Sequence, residues 1–252
     1  MATQTQPGPD PSESRRIVLL GGAFRPDGAS GWRAGPLLRY VLGMTGQDTP
    51  RVCIINTATG DDPAYYTRAY AALNGAGART SHLALFPMPS SLDPAGLLLD
   101  QDIILVGGGS VANLAAVWKT HGLGPILRQA WESGVILSGS SAGALCWFEG
   151  GTTDSFGFEL QPFTAGLGLL PGSYCPHYDS EERRRPTYHR LVAQGALPGG
   201  WALDDGAALR FDGTDMVDAV RDRDGVYAYR VDPEEGRAVE TRLEARRLPD
   251  AE

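Results

Sequence analysis

Val135-Ile136-Leu137-Ser138-Gly139-Ser140-Ser141-Ala142-Gly143-Ala144 reads as a short buried strand, a Gly-x-Ser-x-Gly turn and the opening of a helix. A turn this sharp needs glycine two positions before and two positions after the central serine, because a Cβ at either site would collide with the neighbouring strand or helix. The Ser141 hydroxyl is thereby presented outward, at a helix start whose unpaired amides and positive dipole end favour an oxyanion. The Ala142 amide is the natural first donor to such an anion. A glycine-rich turn before a helix is also a common capping arrangement, in which a serine only satisfies backbone amides. The motif therefore takes its meaning from what surrounds it.

Outward from this turn, strands and helices alternate. Arg16 to Leu20 ends at Gly21-Gly22, Arg51 to Ile55 ends at Asn56-Thr57, and Ile103 to Val106 runs into Gly107-Gly108-Gly109-Ser110; a further strand is expected at His82 to Phe86. Helices are expected over 36–44, 63–74, 111–118 and 124–133, with a loop over the proline-rich residues 87–96. Such alternation marks a mainly parallel sheet covered on both faces, a three-layer α/β fold. After residue 150 the chain is rich in Gly, Pro and aromatics. Active-site loops are expected there, then a closing antiparallel meander from Ala207 to Phe211, Met216 to Val220 and Gly225 to Val231. Residues 1–14 read as a loose polar tail and 15–247 as a single domain.

Composition narrows the function. Apolar residues make up 42% and charged residues 21% of the chain, ordinary globular usage. No apolar run reaches the length of a spanning helix, and the first residues lack the pattern of a secretory signal, so the expected compartment is the cytoplasm. A formal charge of −8 speaks against general affinity for nucleic acid or anionic membrane. Cys53, Cys146 and Cys175 are far apart and in apolar surroundings, which suits reduced, packed thiols. No cluster of His, Cys and carboxylates has ligand spacing, so neither metal nor organic cofactor is expected.

If Ser141 is a nucleophile, a histidine must accept its proton. His82 is placed at a strand, His121 just before a helix-ending glycine and His189 in a helical stretch, all ordinary positions. His177 stands instead in Gly172-Ser173-Tyr174-Cys175-Pro176-His177-Tyr178-Asp179, an irregular segment in which proline fixes the backbone. A carboxylate should orient the imidazole, and Asp154, Asp179, Asp204 and Asp205 are the candidates. The adjacent pair Asp204-Asp205 lies between apolar segments, a costly placement unless the charges are paired, and only one of the two should face the site. The glycine triplet ends a neighbouring strand and could supply a second oxyanion amide from Gly108 or Gly109. It lacks the Lys-Ser/Thr of a phosphate-binding loop and the spacing of a dinucleotide site.

Together Leu20-Gly21-Gly22, Val106-Gly107-Gly108-Gly109, Gly139-Ser140-Ser141-Ala142-Gly143, Cys175-Pro176-His177-Tyr178 and Asp204-Asp205-Gly206 resemble the peptidase E family, most of all its actinobacterial form. The resemblance implies a class I glutamine-amidotransferase-like, flavodoxin-like fold. It also implies a serine peptidase that releases N-terminal aspartate from Asp-X dipeptides, with Ser141 as nucleophile and His177 as base. The acid it implies is Asp205, where the better-studied members carry glutamate before glycine; an older assignment would make it Asp154. An arginine beyond the histidine reads the substrate carboxylate in such enzymes. Arg183, Arg184 and Arg185 lie in that region, with Arg184 the choice here and a solvated charge run paired with Glu181 and Glu182 as the plain alternative. Ser110 departs from the asparagine of many relatives.

The partner expected is thus a small peptide, handled by a monomer or homodimer. Two rival readings are a cyanophycinase-like hydrolase of β-linked Asp-Arg material and a catalytically silent protein that binds a small acidic ligand.

Overall fold

The computed structural model describes residues 15–28 and 31–249; the polar tail expected at 1–14 lies outside the described residues. In chain order the strands and helices are β1 (Arg16–Leu20), β2 (Phe24–Asp27), β3 (Gly31–Ala34), α1 (Pro36–Gly43), β4 (Arg51–Ile55), α2 (Pro63–Gly75), β5 (Arg79–Leu83), α3 (Pro94–Leu99), β6 (Ile103–Val106), α4 (Val111–His121), α5 (Leu123–Glu132) and β7 (Ile136–Ser140). They continue as α6 (Ala142–Leu145), β8 (Phe148–Thr153), β9 (Gln161–Phe163), β10 (Leu170–Cys175), α7 (Arg184–Ala193), β11 (Gly200–Leu203), β12 (Ala207–Asp212), β13 (Asp215–Arg221), β14 (Ala228–Glu234), β15 (Arg237–Leu243) and β16 (Arg246–Arg247).

The first sheet has eight strands in the order β16-β13-β12-β1-β7-β6-β4-β5. From β1 to β5 every pair is parallel, and β12 and β13 extend the sheet antiparallel. Both faces are dry. Ile17 and Leu19 of β1, Cys53 and Ile55 of β4 and Ile104 and Val106 of β6 enter one core, while their alternate neighbours Val18, Leu20, Val52, Ile54, Ile103 and Leu105 enter the other. Burial on both faces is why these strands are continuous apolar runs rather than alternating ones. Helices α1 and α2 cover the second core; α4 and α5 cover the first.

The expected meander is corrected by the structure. Its first two strands form the hairpin 207–221 in the first sheet, but the third, expected at 225–231, is β14 and pairs with the unforeseen β15 in a second, six-stranded sheet ordered β15-β14-β11-β10-β8-β9. That sheet packs through Phe148, Phe163, Tyr174, Leu203 and Ala228 on the first core. Its outer face meets α7 in a third core around Tyr178, Tyr188 and Val231. Two local expectations also shift. The strand placed at 82–86 lies at Arg79–Leu83, as an edge strand paired with β4 alone, where polar residues such as Arg79 and Thr80 are tolerated. The segment before His177 is not irregular, since Leu170–Cys175 forms a central strand of the second sheet.

Among the described residues no helix is long and apolar enough to cross a membrane. All three cysteines are free and buried, and burial pushes the Cys53 and Cys175 thiols up to about 12. A thiolate is the reactive form, so the native protein should resist iodoacetamide at mildly alkaline pH. The unfolded chain should take up three groups by mass, and fast labelling of the native protein would contradict this packing.

Candidate active site

The turn between β7 and α6 is as tight as its sequence demands. A Cβ on Gly139 would run into the backbone of Gly143, and one on Gly143 into the carbonyls of Val106 and Gly107. Ser141 between them has φ 55° and ψ −120°, a backbone that non-glycine residues rarely adopt and that costs about 1–3 kcal/mol. The serine makes no side-chain capping hydrogen bond to the helix, so its hydroxyl is not spent as a cap. One expectation is reduced: α6 is a single turn, so the macrodipole contributes little, and the local amides at its start, Ala142 first, carry the positive potential.

The glycine triplet after β6 lies against this turn. The Gly107 and Ser110 amides donate to Ile55 and Ala58, which pins both ends of the segment. Between them Gly108 faces the serine so closely that a Cβ would stand 3.1 Å from Ser141 Cβ. Ser110 then caps α4 by accepting from the Asn113 amide at 3.2 Å.

His177 follows β10 and also has positive φ, 54°. The Tyr178 amide donates to the Leu203 carbonyl at 3.0 Å, fastening the segment to the end of β11. His177 Nδ1 lies 2.9 Å from Asp205 Oδ1, and the other Asp205 oxygen accepts from the Ser180 hydroxyl at 2.7 Å. The Asp205 amide donates to Asp179 Oδ1 at 2.8 Å, and Arg223 bonds the Asp205 carbonyl.

The two adjacent aspartates diverge because Leu203 ends β11 and both stand in the turn to β12. Asp204 points inward, accepting from the Tyr227 amide at 2.8 Å. Their electrostatics differ accordingly. Burial pushes the Asp204 carboxyl up to about 6, against the Tyr227 hydrogen bond. Burial acts upward on Asp205 too, but the hydrogen bonds from His177 and Ser180 and the nearby cations outweigh it and hold the carboxyl below its usual range. The hydrogen bond to Asp205 in turn holds the imidazole above its ordinary 6.5, against burial and the Arg184 charge.

Ser141 and His177 line one cleft of about 370 Å³ with Gly109, Ser110, Asp154, Ser155, Glu181 and Arg184. Arg184 is no solvated charge. It is 3% exposed, donates from Nε to Glu181 at 2.6 Å and from Nη1 to the Thr152 carbonyl at 3.1 Å. Its neighbours diverge, Arg183 to an adjoining cavity and Arg185 to Glu240 and the faces of Tyr178 and Tyr229. Asp154, the alternative acid, is paired with Arg184 rather than with the imidazole. The remaining histidines have other partners or places: His82 meets Tyr70, His189 meets Glu240, and His121 ends α4. Sequence reasoning passed over Ser180 and Ser155, since polar residues in a loop give no signal until the fold brings them to the cleft; Glu181, expected only as a surface partner of the arginine run, is the partner of buried Arg184.

Comparison with known proteins agrees with this architecture. The model of peptidase family S51 matches residues 29–218. The chain is 44% identical over 222 residues to the Bacillus subtilis (strain 168) protein named uncharacterized peptidase YgaJ, covering 86% of this chain and 92% of that protein. A crystal structure of a peptidase from an acI-B1 actinobacterium superposes with TM-score 0.67 at 18% identity, over 91% of this chain and 94% of the other. A protein of Listeria monocytogenes EGD-e, provisionally named peptidase E, does so with TM-score 0.57 at 18% identity, over 82% and 98%.

Proposed function

Since the chain belongs to peptidase family S51 and is a serine-type peptidase, we propose that it cleaves short peptides, Asp-X dipeptides foremost, through Ser141, His177 and Asp205. The observation that supports this reading is the 2.9 Å contact between His177 Nδ1 and Asp205 Oδ1 at the rim of the cleft that holds Ser141. With its proton on Nδ1, directed at the carboxylate, the imidazole keeps Nε2 as the base.

His177 takes the Ser141 proton as Oγ attacks the scissile carbonyl. The oxyanion draws on the Ala142 amide and on Gly108 and Gly109. Collapse breaks the C–N bond, His177 returns the proton to the leaving amine, and an ester on Ser141 remains. Water, deprotonated by the same imidazole, then releases the acid and restores the serine. Asp205 stays ionised throughout and stabilises the imidazolium. Arg184 is the group suited to the substrate's side-chain carboxylate, because a guanidinium can hold a carboxylate with two parallel hydrogen bonds.

Purified protein assayed on an X-Ala dipeptide panel tests the reading. Asp-Ala should be cleaved about 10²-fold more efficiently than Asn-Ala or Ala-Ala, the scale of the charge-assisted hydrogen bonding that only a carboxylate gains from Arg184. Equal rates across the panel would remove the acidic preference. Failure of a fluorophosphonate to modify Ser141 would remove the covalent mechanism.

A further inference from the structure

The mechanism above gives Asp154 no task, yet its carboxylate stands in the cleft beside the one buried arginine there. The three partners of Arg184 are unequal. Glu181 and the Thr152 carbonyl are at 2.6 and 3.1 Å and fix the guanidinium from the protein side. Asp154 Oδ2 stands 3.6 Å from Nη2, beyond hydrogen-bond length. The burial of that pair is lopsided too, with the Arg184 side chain 4% and the Asp154 side chain 58% exposed. The Asp154 carboxylate is therefore held by charge alone, from the solvent side. Its backbone is anchored, since its carbonyl accepts from the Gly157 amide at 3.1 Å and Ser155 bonds Thr153, so the withdrawal is a rotation of the exposed side chain, which no packed core resists.

We propose that Asp154 is an internal competitor for Arg184: a placeholder carboxylate that the substrate's side-chain carboxylate displaces on binding and that returns to expel the acidic product. The inference rests on the acidic-substrate reading above. A substrate carboxylate that comes within hydrogen-bond range of Nη2 replaces a long, screened contact with a charge-assisted hydrogen bond, so the exchange runs forward. A neutral side chain has nothing with which to drive it. After hydrolysis the free amino acid meets the same competitor, and Asp154 keeps the product from saturating the cleft.

Asp154→Asn removes the competing charge and keeps the size of the side chain. For Asp-Ala it should lower KM about fivefold, the scale of one exposed ion pair. Inhibition by free L-aspartate, the product, should tighten by the same factor, while constants for Ala-Ala stay as they are. Asp154→Glu, which retains a carboxylate, should lie close to the parent, and matching thermal melts should show that the variants fold. Protection of Ser141 from a fluorophosphonate by L-aspartate reads occupancy without turnover. Unchanged KM and protection in Asp154→Asn, with Asp-Ala turned over by the parent, would overturn this inference alone. A raised KM for acidic and neutral dipeptides alike would overturn it in favour of a carboxylate that holds the peptide ammonium. If the parent neither prefers Asp-Ala nor is protected by aspartate, the acidic-substrate reading fails and takes this inference with it.

Discussion

Ser141→Ala should lower kcat/KM on the best dipeptide about 10⁴- to 10⁶-fold, leaving only what positioning and the oxyanion amides provide. The fold should survive, because the serine hydroxyl caps nothing and alanine suffers the same backbone strain. Ser141→Gly separates the two roles of the position. It is equally without a nucleophile, but glycine adopts φ 55° freely, so it should melt above Ser141→Ala by the equivalent of about 1 kcal/mol after the entropy glycine adds to the unfolded chain. Serine at such a φ is a stability cost retained for what the hydroxyl does there. Turnover by Ser141→Ala near the parental rate would remove the covalent mechanism, whatever the melts show.

That turn was legible because one steric rule fixes four features at once: a strand before, a helix after and two glycines between. The parallel strands were legible for a related reason. A sheet buried on both faces leaves few polar positions, so β1, β4 and β6 stand out as apolar runs, and the buried Ser138 of β7 satisfies its hydroxyl on the Val18 carbonyl. The second sheet hides itself. In β8 glycine occupies positions where other chains pass; a Cβ on Gly151 would meet the Tyr174 carbonyl, and the period-two pattern is erased by the close packing that builds the sheet. The strand read at 225–231 looked like a continuation of β12 and β13, because pairing partners far apart in sequence leave no local mark, and β15 was not read at all.

The site divided along the same line. His177 could be singled out from four histidines by its neighbours, but its strand could not, since Gly172 and Ser173 read as loop. That only one of the acidic pair should face the site was expected from the alternation of a strand, although both stand in the turn after β11. Which member faces His177 depended on where β11 ends, a boundary set by pairing with β10 and β14. Arg184 was chosen among three adjacent arginines from the family resemblance, with a solvated run as the alternative; nothing local separates the three, and only the fold sends the middle one under β8 and the next onto Glu240.

Asp205→Asn carries the second large effect. The amide can present its NH₂ to Nδ1, which favours the tautomer with the proton on Nε2 and takes the base away from Ser141; kcat should fall about 10³- to 10⁴-fold. The pH profile should move as well, in a direction that loss of structure would not produce. In the parent, activity requires neutral His177, and its pKa is held above 6.5, first by the Asp205 hydrogen bond. The rise in kcat/KM should therefore be centred above that value. Without the carboxylate, burial and Arg184 remain to favour the neutral ring, so the residual activity should rise at lower pH than in the parent. Stability follows the same linkage. The raised histidine contributes fully below its unfolded pKa, and that contribution is lost as pH climbs through the folded value. Depressed Asp205 contributes above its own unfolded pKa, and that contribution fades as pH drops through its folded one. The difference in melting temperature between parent and Asp205→Asn should thus be greatest between the two, in mildly acidic solution, and shrink on either side. Asp154→Asn should keep the parental profile; if it instead shifts the midpoint as Asp205→Asn is expected to, the orienting acid is Asp154.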